Sequence, residues 1–513
     1  MKSAATDLPI TNPATRKNPE VGTEPVIPPP RTIEQPFSQR KAPRPMIPAL
    51  RILFAALLAA APSVAAPTIL RIQPDETRQS IEGMGCGAIF YEAHITSLAA
   101  RDMDTRQQEL YDSMFARVRT DFLHLMIRHD HEAENDNADP YLPAFQPHGF
   151  DYTRHTIAIC DAAKKRRPEI QLYATLYTPP VWMKTNGDPS AGGEARATLK
   201  PGMELELGEF CWAFLDRMHR NGHSVRYLSI ANEPDWPHTQ PGYCLTPASH
   251  AELFAKVAAY LDEMARRYPD VPKPALVGPN LLSAVDTAER WLPPLLEKAG
   301  ASLAIVGSHD YDRRGERWST LTRAAKGRPV WVTEWCVNAV DHSPGLLNSA
   351  SEYWLAMTEA FNGGVTTWMA YDWVYPPRPG GEALIHVDWG KTYQLTKIYH
   401  GFRQWCEPLA PGMKNVSISL SGPAASGISQ PGLKAAAFLS TDARQLVVHA
   451  ANVSDQACDM ILHLPGPRSK LPVRRLRTSA TEDMATLPDS AFENEMLHES
   501  LPPRAMATYL IGP

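Results

Sequence analysis

Between about residues 80 and 405 the chain repeats one pattern eight times: a short β-rich apolar run, a polar loop, then an amphipathic helical stretch. The repetition forces parallel strands, because each helix carries the chain back before the next strand begins. The apolar runs end near Gly85, Arg128, Leu176, Ala231, Val277, Ser308, Thr333 and Tyr371. Helical periodicity follows near 96–116, 153–167, 203–221, 247–267, 284–298, 317–326, 344–362 and 393–405. Eight βα units in about 320 residues predict an α/β fold, a (β/α)8 TIM barrel over 81–407. Its strands read as continuous apolar runs because helices cover them outside and side-chain layers fill them inside.

From about 408 the texture changes. Runs such as Val416-Ser417-Ile418-Ser419-Leu420 and Gln445-Leu446-Val447-Val448-His449-Ala450 are separated by Gly, Pro, Asp and Ser turns. This spacing predicts a β-sandwich over 408–513. The run Thr68-Ile69-Leu70-Arg71-Ile72, within 67–80, is expected to pair with it, so that both ends of the chain build the smaller domain. Residues 1–45 are Pro-rich without apolar period and read as a disordered leader. Residues 46–66 carry Arg51 and then the run from Ile52 to Ala61, too short to span a bilayer but suited to a signal peptide. The mature chain is expected to begin near Pro67, secreted or periplasmic, without stable membrane association. Either Met1 or Met46 serves as the start.

At 513 residues, with 43% hydrophobic and 21% charged residues, the composition is that of a globular protein. A net charge of −5 lacks the basic stripe that nucleic acid requires. The seven cysteines are scattered with no C-x-x-C spacing, which argues against a structural zinc site.

Two glutamates stand where apolar runs give way to loops. Glu233 lies in Leu228-Ser229-Ile230-Ala231-Asn232-Glu233-Pro234-Asp235-Trp236, and Glu334 in Val330-Trp331-Val332-Thr333-Glu334-Trp335. By count they end the fourth and seventh strands. Active sites of this fold sit at those C-terminal ends. Cutting a glycosidic bond needs a proton for the leaving oxygen and a partner for the developing oxocarbenium ion. Two carboxylates supply both when their environments differ. Asn232 is placed to donate to a sugar 2-hydroxyl. No metal or cofactor is implied. The acidic string His129-Asp130-His131-Glu132, with Glu134 and Asp136, reads as a substrate-facing loop.

The chain resembles glycoside hydrolase family 30, in the clan of retaining (β/α)8 β-glycosidases, over about residues 68–513. The likeness rests on Ile81-Glu82-Gly83-Met84-Gly85-Cys86-Gly87-Ala88, Thr178-Pro179-Pro180-Val181-Trp182-Met183, Asn232-Glu233-Pro234-Asp235-Trp236, Gly307-Ser308-His309-Asp310-Tyr311 and Thr333-Glu334. It implies a β-linked carbohydrate substrate, with Glu233 as acid/base and Glu334 as nucleophile. It also implies that Arg128 lies under the nucleophile and keeps it ionised, and that Tyr311, paired with His309, hydrogen-bonds it. Trp182 and Trp368 would form the floor of the site, and Trp236 completes the acid/base motif. The sequence departs from the family at Met84, Cys86, Tyr177 and Trp335-Cys336, positions expected to line the site. The form of the Glu233 motif is nearest the xylanase-like branch, whose glucuronate-reading motif is absent. Asp372, if inward, would repel an acidic sugar. An inactive carbohydrate-binding relative, or a retaining glycosidase of another family in the clan, remain alternatives at this stage.

Overall fold

A computed structural model of the chain describes residues 66–99, 104–143, 151–337, 340–377 and 380–513. The leader expected over 1–45, and all but the last residue of the signal segment expected over 46–66, lie outside the described residues.

After a first strand, β1 (Thr68–Ser80), eight strands close into a barrel in chain order. They are β2 (Gly83–Ala88), β3 (Phe122–Ile127), β4 (Gln171–Leu176), β5 (Tyr227–Ser229), β6 (Ala275–Leu281), β7 (Leu303–Ser308), β8 (Val330–Val332) and β9 (Thr367–Ala370). Each runs parallel to the next, and β9 pairs with β2 to close the ring. The (β/α)8 expectation therefore holds. β6 continues past the expected end at Val277. A register shift between Pro279 and Leu281 accommodates the proline, which has no N–H to give a ladder.

The strands alternate at period two, as pleated backbone must. Phe122, Tyr173, Val277, Ile305, Trp331 and Met369 point inward and fill the barrel floor. Their neighbours Leu123, Leu172, Leu228, Leu276, Val306, Val330 and Trp368 point outward into the layer beneath the helices. The helix Pro247–Arg267 shows why that layer is regular. Its Thr246 side chain accepts from Ser249 N–H in a capping box, Pro247 starts the first turn, and one face buries Leu253, Phe254, Val257, Leu261 and Met264.

Beyond the eighth barrel strand the chain forms β10 (Asp372–Tyr375), β11 (Ala383–Asp388) and β12 (Thr392–Leu395), a small three-stranded sheet. Helix was expected from 393. It starts instead at Lys397, where the Thr396 hydroxyl accepts from the N–H groups of Ile398 and Tyr399. The C-terminal strands are β13 (Lys414–Ser421), β14 (Leu433–Leu439), β15 (Leu446–Asn452), β16 (Cys458–His463), β17 (Val473–Thr478), β18 (Ala485–Ser490), β19 (Met496–Leu501) and β20 (Met506–Ile511). With β1 they form one nine-stranded sheet in the order β18-β17-β20-β15-β14-β13-β1-β16-β19. β1 sits inside it, antiparallel to β13 and parallel to β16, so both ends of the chain do share the domain. The sandwich differs from expectation in being one hydrogen-bonded sheet. Register shifts in β1 at Thr77 and Ser80 mark irregular pairing there, and residues from both halves of the sheet share one core.

All seven cysteines are buried thiols. Among the described residues no helix is long and apolar enough to cross a membrane.

The barrel and the sheet are locked by a buried charge set. Arg317, on the helix after β7, pairs with Asp310 and lies 2.8 Å from Glu359, while Ser429 of the sheet domain donates its N–H to Glu359 at 2.6 Å. Arg317→Ala is expected to destabilise the protein by about 3–5 kcal/mol, since buried Asp310 loses its paired cation and Glu359 keeps only Lys434, at 3.7 Å. Urea denaturation checks this; a loss under about 1 kcal/mol would count against the lock.

Candidate active site

The backbone that presents Glu233 is unusual. β5 ends at Ser229, and four residues later Glu233 adopts φ 41°, a left-handed conformation that costs a non-glycine residue about 1–2 kcal/mol. Its N–H donates to the Asn280 carbonyl at 2.9 Å. Asn280, at φ 68°, is also left-handed, a state that Asn tolerates better than most residues. Its side-chain amide donates to the Ala231 carbonyl at 3.3 Å, and its Oδ1 accepts from the Thr333 hydroxyl. One asparagine thus ties the strand end before Glu233 to the residue before Glu334.

Glu334 is held by two phenols. Tyr177 donates to Oε2 at 2.7 Å, and Tyr311 donates to Oε1 at 2.9 Å. Glu233 is held by two imidazoles. Its Oε1 lies 2.7 Å from His309 Nδ1, and its Oε2 lies 2.9 Å from His238 Nε2. His309 Nδ1 is also 3.8 Å from Glu334 Oε1. Both glutamates are nearly closed off, at 4% and 5% exposure. Donor atoms of Glu233, His309 and Glu334 lie within 4.8 Å of one another.

The partners set the charges. Burial pushes Glu233 up, but the two histidines override it and hold the carboxyl down at about 2. Burial would lower both imidazoles; instead the facing carboxylates raise His238 and His309 above the ordinary histidine value. Glu334 is raised, by burial first and then by the Glu233 charge, against the pull of His309 and the two phenols. The facing carboxylates therefore favour the protonated imidazoles beside Glu233.

Glu233, Glu334, Tyr177, His309 and Tyr311 thus come together, while other expected positions differ. Arg128 does not sit under Glu334. It lies one residue past β3, in the turn, with its guanidinium 4.2 Å over the Tyr152 ring and 3.4 Å from Asp130. The inward residue His124 instead stands behind the pair, stacked on Tyr173 and 2.9 Å from Thr175 Oγ1, with burial holding it neutral at about 3. Trp368 is not the floor of the site. It points outward between Trp335, Tyr353 and Phe402, because its neighbour Met369 takes the inward place.

Asp372 likewise fails to point inward. Its carboxyl is wholly buried, accepts from Val374 N–H, and has its pKa pushed up by burial with Glu92 adding to it. The alternation that turns Met369 and Tyr371 inward turns Asp372 away. Met84 and Cys86 belong to the outer layer and do not line the site, whereas Trp335 borders the cavity past Tyr311 and Cys336 lies 3.6 Å from the Tyr311 oxygen. Asn232 is buried with Oδ1 unpartnered, Trp182 is half-buried and donates to the Glu132 carbonyl, and Trp236 is 42% exposed at the rim. Sequence reasoning missed His238 and Asn280. His238 sits in an irregular loop with no period to mark it, although Asn280, after Gly278-Pro279 at a strand end, carried a visible turn signal.

The acidic loop after β3 does not gather its histidines. His131 is stacked on Phe210, with ring nitrogens 2.9 Å from the Arg128 carbonyl and 3.0 Å from the Phe210 carbonyl. Beside the Glu233–Glu334 cluster a cavity of about 730 Å³ opens past Tyr311 and Cys336, bordered by Arg313, His342, Glu352 and Arg504.

No protein-family model matches the sequence. Solved structures do resemble it. A glycoside hydrolase family 30 subfamily 8 xylanase from Clostridium acetobutylicum is 17% identical, with TM-score 0.64 over 87% of this chain and 100% of that one. The catalytic domain of a GH30 xylanase from Talaromyces cellulolyticus is 17% identical, with TM-score 0.67 over 87% and 100%. An endo-β-1,6-glucanase is 12% identical, with TM-score 0.62 over 88% and 96%. The barrel with its side sheet is a fold this chain shares with those enzymes.

Removing one phenol from Glu334 should be costly. Tyr177→Phe and Tyr311→Phe each delete a bond to an ionised acceptor, about 1.5–3 kcal/mol, or roughly 10- to 150-fold in kcat/KM. The acid limb of the pH–rate profile should also move up, because Glu334 then ionises less readily. Unchanged limbs in both variants would show that the phenols do not tune this carboxyl.

Proposed function

We propose that the protein is a retaining O-glycoside hydrolase that cleaves β-linked oligo- or polysaccharides by double displacement. The observation that carries this reading is the pair of buried carboxylates, less than 5 Å apart, with opposite supporting sets. Such closeness favours direct attack by a carboxylate, since inverting enzymes separate theirs by about 6.5–9.5 Å to admit a water. The shared fold and the family 30 motif around Glu233 support the same class.

In the first step a Glu334 oxygen bonds to the anomeric carbon while the glycosidic bond breaks, and Glu233 passes a proton to the leaving oxygen. Tyr177 and Tyr311 keep Glu334 oriented, and their O–H bonds favour its charged form. The proton Glu233 delivers is drawn from His238 or His309, so the carboxyl works as the last carrier of an imidazole-stored proton. In the second step Glu233 takes a proton from water, and the water oxygen displaces Glu334 from the anomeric carbon. Asn232 is placed to hold the sugar 2-hydroxyl, with Trp182 and Trp236 offering faces to sugar C–H surfaces. The cavity past Tyr311 is within the usual size range of ligand pockets and suits further sugar units. The segment 46–66 supports a site of action outside the cytoplasm.

Glu334→Ala is expected to abolish turnover, and external azide should then yield a glycosyl azide of inverted configuration; near-wild-type activity overturns the assignment. Glu233→Gln should fail on poor leaving groups yet still be glycosylated by activated aryl glycosides. The pH–rate profile of the wild type should fall on its acid side through a value above 4.5, as Glu334 protonates, and on its alkaline side above 6.5, as the imidazoles lose the stored proton. His238→Gln should shift only the alkaline side. An unshifted alkaline limb would remove His238 from proton storage.

A further inference from the structure

A row of aromatic rings leads from Glu334 out to the protein surface. Tyr177, which donates to Glu334, meets Phe90 edge-on with ring centres 5.0 Å apart, and Phe90 lies 6.4 Å from Tyr371. Tyr371 is 6.1 Å from Tyr375, and Tyr375 is 4.4 Å from Tyr91. Tyr91 then meets His94 at 5.3 Å, and His94 meets Trp389 edge-on at 4.8 Å. Beyond Tyr177 the rings come from three segments. Phe90, Tyr91 and His94 follow the first barrel strand, β2, and Tyr371 and Tyr375 follow the eighth, β9. Trp389 sits on the turn between β11 and β12.

The backbone holds these rings in place. Phe90 has φ 56°, a left-handed conformation that bulky residues rarely adopt, and Tyr91 N–H closes a tight turn around it by donating to the Ile89 carbonyl at 2.6 Å. The outer turn is fixed as well. Gly390, at φ 62°, supplies its left-handed position and donates its N–H to Ser97 Oγ at 3.0 Å, while Arg106 donates to the Lys391 carbonyl at 2.5 Å. Trp389 is nevertheless 44% exposed. Small and polar residues serve such a turn, so folding does not call for tryptophan there. Tyr375 is buried and backs the row, whereas Phe90, Tyr91, His94 and Tyr371 are half-buried.

We propose that Tyr371, Tyr91 and Trp389 form a track of subsites for the glycone side of a long β-linked glycan, so that the enzyme cuts within chains rather than only releasing terminal sugars. The proposal rests on the hydrolase reading above. Sugar rings carry C–H faces that pack on aromatic faces, and rings already fixed by their backbone lose little freedom when a chain settles on them. Barrel closure decides which side of the cut they serve. In a ring of eight strands the eighth lies across from the fourth, and the first lies beside the eighth. The fourth leads into Glu233, which protonates the leaving oxygen, so the departing part of the chain lies toward Glu233 and the exposed Trp236. The track on the far side therefore meets the part that becomes bonded to Glu334. Trp236 and Trp389 flank the cut from opposite sides.

Binding is measured by calorimetry on the full chain in the Glu334→Ala background, where no turnover intervenes. The probes are xylo-, cello-, laminari- and β-1,6-gluco-oligosaccharides from disaccharide to hexasaccharide. In the series that the site accepts, affinity should rise with length. Adding Trp389→Ala should weaken the longest members about tenfold and leave the disaccharide unchanged, and Trp389→Phe should restore part of the loss. With Glu334 intact, Trp389→Ala should lower kcat/KM on the hexasaccharide by a similar factor through KM. Turnover of aryl monoglycosides should stay unchanged, which also shows that the variant folds. Affinity that does not rise with length in any series, or that rises as steeply without Trp389, overturns the track and leaves hydrolysis standing. A native chain that cleaves no glycoside overturns the hydrolase reading and, with it, cutting within chains.

Discussion

Two like charges must share one small, dry volume. At 4.8 Å and an effective dielectric of about 20, a pair of ionised carboxylates repels by on the order of 3–4 kcal/mol. Glu233 and Glu334 can occupy this space only because each is compensated differently. Glu334 receives two phenolic donors, which favour its charge without adding any of their own. Glu233 faces two imidazoles, one on each oxygen, whose own pKa values it raises in turn. The asymmetry of partners is what separates two carboxyls that are themselves chemically alike, and the proposed division of roles rests on it.

That arrangement needs a frame that does not yield. The barrel floor, built from Phe122, Tyr173, Val277, Ile305, Trp331 and Met369, leaves no room for the strands to shift past one another. Above it, Asn280 links the two glutamate-bearing strand ends directly and accepts its own left-handed backbone to do so. The sheet domain presses on the helices behind the sixth, seventh and eighth barrel strands through Arg317, Glu359 and the stack of Trp405 on His449. Function in this architecture is carried by loop residues held from below by rigid strands.

The same strand periodicity explains which expectations succeeded and which did not. The barrel was legible because apolar runs and helical periods alternate over hundreds of residues, and Glu233, Glu334, His309 and Tyr311 stood at run ends in recognisable motifs. Trp368 and Asp372 were misplaced because inward or outward direction depends on the parity of the residue within its strand, and that phase is fixed only when the neighbours' register is known. Arg128 was misread because it follows the strand's last paired residue, where the backbone is free to turn the guanidinium to Tyr152. His238 carried no pattern at all.

By itself the sequence determined the fold class, the sharing of the small domain by both ends of the chain, and the two carboxylates at strand ends, since all three follow from periodicity and short local motifs. Tertiary structure alone decided which side chains surround those carboxylates. Tyr177, His238, Asn280 and Tyr311 arrive from four separate segments, and their meeting depends on barrel closure, a long-range constraint that no local run of residues encodes.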